Sequence, residues 1–392
     1  MPRKPPMSTT TATTEPARLA ACGFCLGGSL RPADRAAGAP RQQTANQQHF
    51  LSRPESKFPA LLFAVMVAVG NAVSSESPDE AALRAEVHDK GWIVFSARSE
   101  KGDYDIFKMR PDGSSLTNLT QTPEFNETYP LFSRDGKRIL FRRVLLDRAI
   151  DGNDYGVQGA AVIARHDGAQ AVVLGGDKEY SWASWSPDGK QLLCMSPKGF
   201  SIVEIATKKV VRTFPRKGFK QQPTWSPDGR WVIGVANWPD TNWSITRMDI
   251  ATGEILPVNK HNCCTPDWFP DSQNVIFSWR VLGQRTNKGY GWTQLWRNTA
   301  DGKNPQLVYA ENGRHCYGGH VSPDGKYVLF TGNAQENGDP ANAGAPMALM
   351  RLCDAPIIGN ADEELRKKFP GAKSGPVLKL PVGLEPCWNQ EK

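Results

Sequence analysis

The first 56 residues lack what a folded core needs. All 12 tryptophans lie at or after Trp92, and residues 1–56 are mostly Thr, Ala, Pro, Gln and Arg, with almost nothing apolar to bury. Such a composition cannot offset the conformational entropy that folding removes. We therefore expect residues 1–56 to be a disordered extension or to precede the true start of translation, and about three quarters of the 392 residues to fold.

The part that folds also lacks a surplus of positive charge. Eight Lys and Arg against three Asp and Glu lie up to residue 74, which leaves 39 against 37 for the remainder, so the net charge of +7 belongs mostly to the leader. Nucleic-acid binding is disfavoured, because it needs cations clustered on a folded surface. Six of the eight cysteines follow residue 74, which makes disulfides possible without requiring them.

The apolar run at residues 59–70 is too short for a membrane span, which takes about 20 residues. It follows Arg53 and Lys57 and precedes the small residues Ala72 and Ser74. That order is typical of a secretory signal. Residues 57–74 are predicted to be a signal peptide, with an uncleaved anchor or a buried segment as the alternative. We expect an exported protein, periplasmic or extracellular, whose mature chain begins with a linker at 75–90 and has no membrane span.

What the sequence does contain is a repeat. The phrase Ser-Pro-Asp-Gly starts at residues 186, 226 and 322, with weaker copies at 133 and 269, so successive copies are 53, 40, 43 and 53 residues apart. A period of this length suits one small sheet of four strands per unit. Within the phrase, Asp caps its own backbone and Gly tolerates a positive φ, so each copy predicts a tight turn between strands.

The two ends of the chain belong to one repeat unit. The repeats open on a second strand at Trp92 with no turn phrase before it, and they finish at residues 384–388 on a segment that matches the lead-in to each turn. Pairing these ends removes the open edges of a ring of sheets. The sequence therefore predicts an all-β, six-bladed β-propeller over residues 91–392, closed by pairing the C-terminal strand with the N-terminal blade. The predicted first strands lie at Tyr129, Trp182, Gln222, Thr265, Gly318 and Glu385.

Several phrases carry a family resemblance. The segments 105–113 (DIFKMRPDG) and 116–120 (LTNLT), with the Ser-Pro-Asp-Gly turns, resemble the WD40-like repeats of the TolB-like six-bladed β-propellers. The resemblance covers about residues 91–392 and implies a periplasmic propeller that binds partner proteins of the cell envelope. The family's namesake has an extra N-terminal α/β domain, whereas here only about 16 residues, 75–90, separate the predicted signal from the first blade.

Linear motifs of common enzymes are absent from the chain. There is no Gly-x-Ser-x-Gly, phosphate loop, Rossmann glycine pattern or His-Glu-x-x-His. Their absence counts against catalysis without excluding it, since a site in a propeller channel needs no linear motif. Some pectin-degrading lyases also resemble propellers with metal-bound histidines in the channel. The sequence therefore leaves a second reading open, a metal-dependent enzyme similar to oligogalacturonate lyase that degrades polysaccharide.

Histidines and cysteines recur at one position of adjacent repeats. When repeats are aligned on their turns, Cys263 and Cys316 coincide, and neighbouring residues complete a candidate set for zinc or copper: His261, Cys263, Cys264, His315, Cys316 and His320. A divalent metal is thus the one cofactor that the sequence suggests. The alternatives are a disulfide between Cys263 or Cys264 and Cys316, which export would favour, or unrelated side chains.

Aromatic residues outside the repeat positions are candidates for ligand or partner contacts, because they stack on sugar rings or anchor protein partners. They are Trp238, Trp243, Tyr290, Trp292 and Tyr317.

Two insertions break the repeat period. The loop at 145–159 carries Asp147, Asp151 and Asp154, which suits either calcium or plain solvation. Residues 361–369 read as a short helix and a candidate partner surface.

From the sequence we therefore expect a monomeric, exported, non-catalytic propeller that binds a protein or glycan in the cell envelope.

Overall fold

The computed structural model describes residues 76–147, 157–241, 243–280, 293–311, 315–333, 346–359 and 363–389. In this part of the chain the strands form six sheets, as predicted. No helix among the described residues is long and apolar enough to cross a membrane. The predictions for residues 1–56 and 57–74 lie outside the described residues and stay predictions.

Each sheet is one blade, and its first strand is the one nearest the axis of the ring. Blade 1 contains β25 (Leu384–Asn389), β1 (Trp92–Arg98), β2 (Tyr104–Met109) and β3 (Thr117–Asn118). Blade 2 contains β4 (Phe125–Phe132), β5 (Arg138–Leu145), β6 (Ala160–Arg165) and β7 (Val172–Leu174). Blade 3 contains β8 (Trp182–Trp185), β9 (Gln191–Ser196), β10 (Gly199–Glu204) and β11 (Lys209–Phe214).

The second half of the ring follows the same order. Blade 4 contains β12 (Phe219–Trp225), β13 (Trp231–Ala236), β14 (Ser244–Asp249) and β15 (Ile255–Asn259). Blade 5 contains β16 (Cys263–Trp268), β17 (Asn274–Arg280), β18 (Thr293–Thr299), β19 (Gln306–Ala310) and β23 (Ile357–Ile358). Blade 6 contains β20 (His315–Val321), β21 (Tyr327–Asn333), β22 (Pro346–Arg351) and β24 (Val377–Val382). All six predicted first strands are confirmed.

The ring closes through the C-terminal strand, as predicted. β25 pairs antiparallel with β1, so that Trp388 lies opposite Ile93 and Cys387 lies opposite Val94. The side chain of Trp388 is buried, and its indole Nε1–H donates a hydrogen bond to the carbonyl of Lys90 at 2.7 Å. The last strand therefore completes the first blade and removes the open edge that either end of the chain would leave.

The repeated turns have the chemistry that the sequence predicted. In the copy at 186–190, the Ser186 hydroxyl donates to Asp188 Oδ1 at 2.6 Å and accepts from the backbone N–H of Gln191 at 2.9 Å. Gly189 has a φ of 66°, a conformation that glycine adopts without steric strain. The same serine and aspartate contacts satisfy the backbone of the turns at 133, 226 and 322, which fixes the direction of the first and second strands of those blades.

The predicted linker at 75–90 is wrong in the described part, because this segment holds the helix α1 (Pro78–Val87). Ser77 caps the helix and forms a capping box with Glu80. Leu83 and Val87, spaced four residues apart on one face, are fully buried in a core cluster with Leu378 and Leu380 of β24. The helix is therefore docked on the propeller, and its apolar face was the signal that the sequence reading missed.

The insertion after β22 reaches the neighbouring blade. Its strand β23 pairs in parallel with β19, which gives blade 5 a fifth strand. The helix α2 (Glu363–Lys368) follows, and its buried Leu365 packs near Trp296 and Phe369. The predicted helix at 361–369 is confirmed over 363–368, and residues 361 and 362 lie outside the described residues. This insertion therefore caps the outer edge of blade 5.

Candidate functional site at the axis of the ring

The first strands of neighbouring blades contact one another, so they surround the axis. In each blade the start of the first strand lies opposite the end of the second strand, as Cys263 opposite Trp279 and His315 opposite Asn333 show. The segments that join second to third strands therefore leave from one face of the ring, which we call the loop face. The Ser-Pro-Asp-Gly turns lie on the opposite face, which we call the turn face.

Five of the six first strands contain a bulge with a left-handed backbone. The residues with positive φ are Tyr129 (58°), Gln222 (52°), Thr265 (49°), Gly318 (62°) and Glu385 (53°), and the strand register shifts at each of them. We call these residues, with Trp182 at the matching position of blade 3, the bulge ring. A left-handed conformation costs a residue other than glycine about 1 kcal/mol or more, and such strain is concentrated at functional positions.

Side chains of the bulge ring hold the next blade in place. Glu385 Oε2 accepts a hydrogen bond from the backbone N–H of Tyr129 at 2.8 Å. Gln222 Oε1 accepts from the N–H of Thr265 at 3.1 Å, and Thr265 Oγ1 accepts from the N–H of Gly318 at 3.0 Å. At these three bulges a backbone N–H turns away from its own sheet, and a side chain of the preceding blade satisfies it. The bulge ring is thus a polar belt around the axis.

Two residues further along each first strand lies a second ring, which we call the inner ring. Its members are Cys387, Leu131, Ser184, Thr224, Asp267 and His320. His320 Nδ1 lies 2.5 Å from Asp267 Oδ2, and both side chains are about one fifth exposed. Cys387 Sγ accepts a hydrogen bond from the backbone N–H of Phe132 at 3.4 Å. Blades 5, 6 and 1 therefore contribute an Asp, a His and a Cys to one part of the inner ring, and the Asp and the His form an ion pair.

The charge state of His320 follows from these contacts. Burial lowers the pKa of His320, but the neighbouring Cys387 side chain and the Asp267 carboxylate hold that pKa well above its usual range. In the same ring, the buried Ser184 Oγ and Thr224 Oγ1 have no hydrogen-bond partner among the described residues. The inner ring thus pairs a cationic imidazole on one side with unsatisfied hydroxyl groups on the other.

A further polar cluster lies at the loop-face ends of blades 5 and 6. Arg280 Nη2 donates to the Tyr317 hydroxyl at 2.8 Å, and burial raises the pKa of Tyr317. The backbone N–H of Thr293 donates to His315 Nδ1 at 3.1 Å, so Nδ1 carries no proton. His315 is buried, and its ring centroid lies 5.9 Å from that of Tyr317. The sequence brought Tyr317 and His315 into its candidate set, and the structure brings them together.

The six candidate metal ligands do not form one centre. No group of three His, Cys, Asp or Glu within the described ranges could hold a metal ion. His261 is exposed, whereas Cys263 is buried and its thiol donates to the His261 carbonyl at 2.8 Å. His315 is engaged by Thr293, and His320 by Asp267. The prediction failed because equivalent positions on neighbouring first strands direct their side chains into different blade cores.

The alternative disulfide is not formed either. Cys263, Cys264 and Cys316 are thiols in the structure. Cys263 belongs to a core cluster with Val275 and Phe277, whereas Cys316 belongs to a separate cluster with Val328 and Phe330. Burial raises the pKa of the Cys263 thiol well above its usual range, so this sulfur is a packing group.

The candidate aromatic residues divide into three groups. Trp238 is half-buried at the loop face, where its Nε1–H donates to Thr246 Oγ1 at 2.9 Å and Lys260 lies over its ring. Trp243 packs against the core cluster of blades 4 and 5, so its main contacts are structural. Tyr290 and Trp292 lie outside the described residues, as do Asp151 and Asp154 of the candidate calcium loop. Asp147 of that loop is exposed.

The sequence reading missed Asp267, Cys387 and Glu385 as site residues. Asp267 and Cys387 occupy the same repeat position as His320, because each comes just before the last residue of the lead-in to a turn, and Glu385 lies two residues earlier at the bulge. Across the six repeats that one position holds ionisable residues on three consecutive blades, which is the sequence signal for this part of the site.

Comparisons with known proteins agree with this geometry. No protein-family model matches the chain. The Tol-Pal system protein TolB of Francisella tularensis subsp. holarctica is 27% identical over 184 residues, which covers 45% of this chain and 41% of that protein. TolB from Acinetobacter baumannii superposes with a TM-score of 0.53 at 15% identity, over 79% of this chain and 70% of that one. The chain is a TolB-like six-bladed propeller.

The extent of these matches also limits what can be inferred about function from the resemblance. The aligned part spans about two fifths of the curated relatives' own length. Oligogalacturonate lyase from Vibrio parahaemolyticus superposes with a TM-score of only 0.40 at 16% identity, over 68% of this chain and 71% of that one. That fit is too weak to distinguish the lyase alternative from any other propeller. The structural likeness establishes the TolB-like fold, and function has to be argued from the site.

Proposed function

We propose that this TolB-like propeller is an exported, non-catalytic binding module of the cell envelope, and that its ligand is a segment of a partner protein. The loop-face entrance to the axis supports this proposal. Here Arg280, Tyr317 and His315 of blades 5 and 6 form a polar cluster, and the half-buried Trp238 lies on the same face in blade 4. Aromatic and arginine side chains of this kind are enriched at the energetic centres of protein interfaces.

The chain's relatives support a protein ligand in preference to a glycan. The matched curated proteins are each named as a protein of the Tol-Pal system. In the described part of this chain, the polar groups at the loop face are held by protein contacts at fixed positions, as in Arg280 to Tyr317 and Thr293 to His315. Such preorganised groups lose little entropy when they meet a ligand.

The experiment is affinity capture from the detergent-solubilised cell envelope of the organism that encodes the chain. Immobilised wild type is compared with the loop-face variants Trp238→Ala and Arg280→Ala and with the turn-face control Lys190→Ala, whose side chain is exposed. We expect one or more proteins to be retained by wild type and by the control and to be lost from both loop-face variants. Retention that is identical on all four proteins would contradict the assignment of the loop face.

Two parallel measurements test the other parts of the proposal. A screen of soluble polysaccharides, with release of reducing or unsaturated ends as the readout, separates glycan binding and cleavage from protein binding. Sugar binding without protein capture would transfer the function to the glycan alternative, and sugar cleavage would favour the lyase. For export, the N-terminal residue of protein recovered from the periplasm is expected to follow Ala72 or Ser74. An intact leader on protein retained in the cytoplasm would contradict export.

A further inference from the structure

The outer edge of blade 3 is open along a whole strand. β11 is the last strand of its sheet, and among the described residues no further strand pairs with it. Five of its six residues are exposed, and Val210 and Val211 are each 52% exposed. An open edge of this length presents backbone N–H and C=O groups that can pair with another chain. β11 is therefore a candidate docking edge.

The same edge is strongly basic. Residues 208–220 contain six Lys and Arg and no Asp or Glu, whereas the chain after residue 74 is almost neutral overall. The cations are Lys208, Lys209, Arg212, Arg216, Lys217 and Lys220. All of them are exposed except Arg216, which is half-buried. This part of the rim therefore attracts anionic groups.

The cations of this segment have no counter-ions in the described part of the chain, where no Lys or Arg of residues 208–220 forms an ion pair. Arg212 Nη2 donates to the Ala251 carbonyl at 2.7 Å, and Lys217 Nζ donates to the Gly253 carbonyl at 2.5 Å. Both acceptors are neutral groups in one turn of blade 4. They fix the positions of the two side chains without neutralising them, so the positive charge stays available to a ligand.

Charge and backbone together select the class of ligand. A second copy of this chain would bring the same cations against the same edge, and like charges on facing strands repel. A lipid surface is disfavoured as well, because the exposed large apolar side chains of the segment are only Val210 and Val211, whereas membrane-binding surfaces insert Trp, Phe or Leu. An extended acidic peptide satisfies both the cations and the open edge.

Another blade of the same ring already accepts an added strand. In blade 5 the short strand β23 pairs with the outer edge of β19, so that Tyr309 lies opposite Ile357 and Ala310 lies opposite Ile358. Strand addition is therefore compatible with the curvature of these blades. Lysines on an edge strand also keep like edges from pairing. That protection and the binding of an acidic strand are compatible, because they differ in the sign of the approaching charge.

We propose that β11 binds an extended acidic segment of a partner protein by strand addition. The backbone of the segment pairs with the outer edge of β11, and its Asp and Glu side chains contact the cations of residues 208–220. β11 is the strand of blade 3 farthest from the axis, so this surface is separate from the loop-face entrance and goes beyond the function proposed for it.

The experiment measures the binding of fluorescein-labelled synthetic peptides to the full chain by fluorescence anisotropy at low salt. The probe is a peptide of about eight residues in which Glu and Val alternate. One control peptide alternates Lys and Val, which reverses the charge. The other is the Glu-Val peptide with every amide N-methylated, which keeps the charge and removes the N–H donors. We expect saturable binding of the Glu-Val peptide and about tenfold weaker binding of both controls.

Two double variants locate the charge that matters. Lys208→Gln/Lys209→Gln removes two exposed cations beside the edge and should weaken binding of the Glu-Val peptide about tenfold. Lys326→Gln/Lys367→Gln removes the same charge from exposed positions elsewhere and should bind as wild type does. The thermal transition monitors folding of both. Amide hydrogen exchange of wild type should slow at residues 209–214 when the peptide binds.

Several results would overturn the proposal: equal binding of the three peptides, equal binding by the two double variants, slowed exchange confined to another blade, or no binding at about 1 mM peptide. Vesicles with about 30% phosphatidylglycerol are measured in parallel, and a chain that binds these vesicles but not the Glu-Val peptide would replace the acidic segment with a lipid surface. The loop-face variant Trp238→Ala should bind the Glu-Val peptide as wild type does, which separates this test from that of the loop face.

Discussion

The closure of the ring by β25 predicts that Trp388→Ala destabilises the whole propeller. Trp388 is 2% exposed, its ring centroid lies 5.5 Å from that of Tyr327, and its indole donates to the Lys90 carbonyl at 2.7 Å. Truncating a buried tryptophan typically costs about 3–5 kcal/mol, which includes the cavity that is left. We expect the free energy of unfolding to fall by about 4 kcal/mol.

The assay is urea unfolding followed by tryptophan fluorescence and far-UV circular dichroism. Two variants divide the expected loss. Trp388→Phe retains an aromatic ring but removes the hydrogen bond to Lys90, so it should lose about 1–2 kcal/mol. Val210→Ala, at a side chain 52% exposed on the outer edge of blade 3, should change stability by less than about 0.5 kcal/mol. A loss for Trp388→Ala no larger than for Val210→Ala would refute closure by this strand.

Three further predictions follow from buried groups elsewhere in the ring. Burial raises the pKa of the Glu127 carboxyl to about 7 from an ordinary 4.5. As pH rises from 4.5 to 7, the free energy of unfolding of wild type should therefore fall by about 3 kcal/mol relative to that of Glu127→Gln, as measured by urea titration. An equal pH dependence in both proteins would contradict the shift. Leu83→Ala should lower the free energy of unfolding by about 2–5 kcal/mol, because α1 is docked and not a linker, and exposed Glu76→Ala is its control. Ile358→Ala should lose a similar amount through β23, and a change under about 0.5 kcal/mol would mean that the fifth strand of blade 5 does not contribute.

The sign of the Glu127 prediction follows from which state holds the proton. Below pH 4.5 the carboxyl is protonated in both the folded and the unfolded chain, so it has no effect on stability. Between pH 4.5 and 7 the unfolded chain releases the proton while the folded chain keeps it, which favours unfolding. Above pH 7 the penalty is constant. Arg143, whose Nε lies 3.1 Å from Glu127 Oε1, limits the penalty without removing it.

The repeat predicted the ring accurately, because the turns that define it depend on hydrogen bonds between residues close together in the sequence. Each Ser-Pro-Asp-Gly turn is built from hydrogen bonds within five residues, as between Ser186, Asp188 and Gln191, so the chain itself encodes where strands begin and end. The helix α1 was missed, although Leu83 and Val87 carry the four-residue spacing of a helix face. The attachment of β23 to blade 5 could not be read from the sequence, because two isoleucines carry no information about which edge they join.

The candidate site shows the same contrast, more clearly, between what the sequence predicts and what only the structure reveals. From the sequence, Cys263, Cys316 and His320 appeared as members of one cluster, because they occupy similar places near the turns. In the structure Cys263 and Cys316 pack into separate cores, and His320 pairs with Asp267, which the sequence had not marked as a site residue. Register explains the difference. A bulge in the first strand changes which face the following side chains share, and a bulge leaves no reliable mark in a single sequence.

The sequence by itself determined the six sheets, their turns and the closure of the ring, since these depend on strand periodicity and on turn residues that act over a few positions. Only the tertiary structure decided which side chains meet at the axis, because that depends on how six first strands are bulged and packed against one another. Asp267, His320 and Cys387 are 53 and 67 residues apart along the chain, and the ring makes them neighbours.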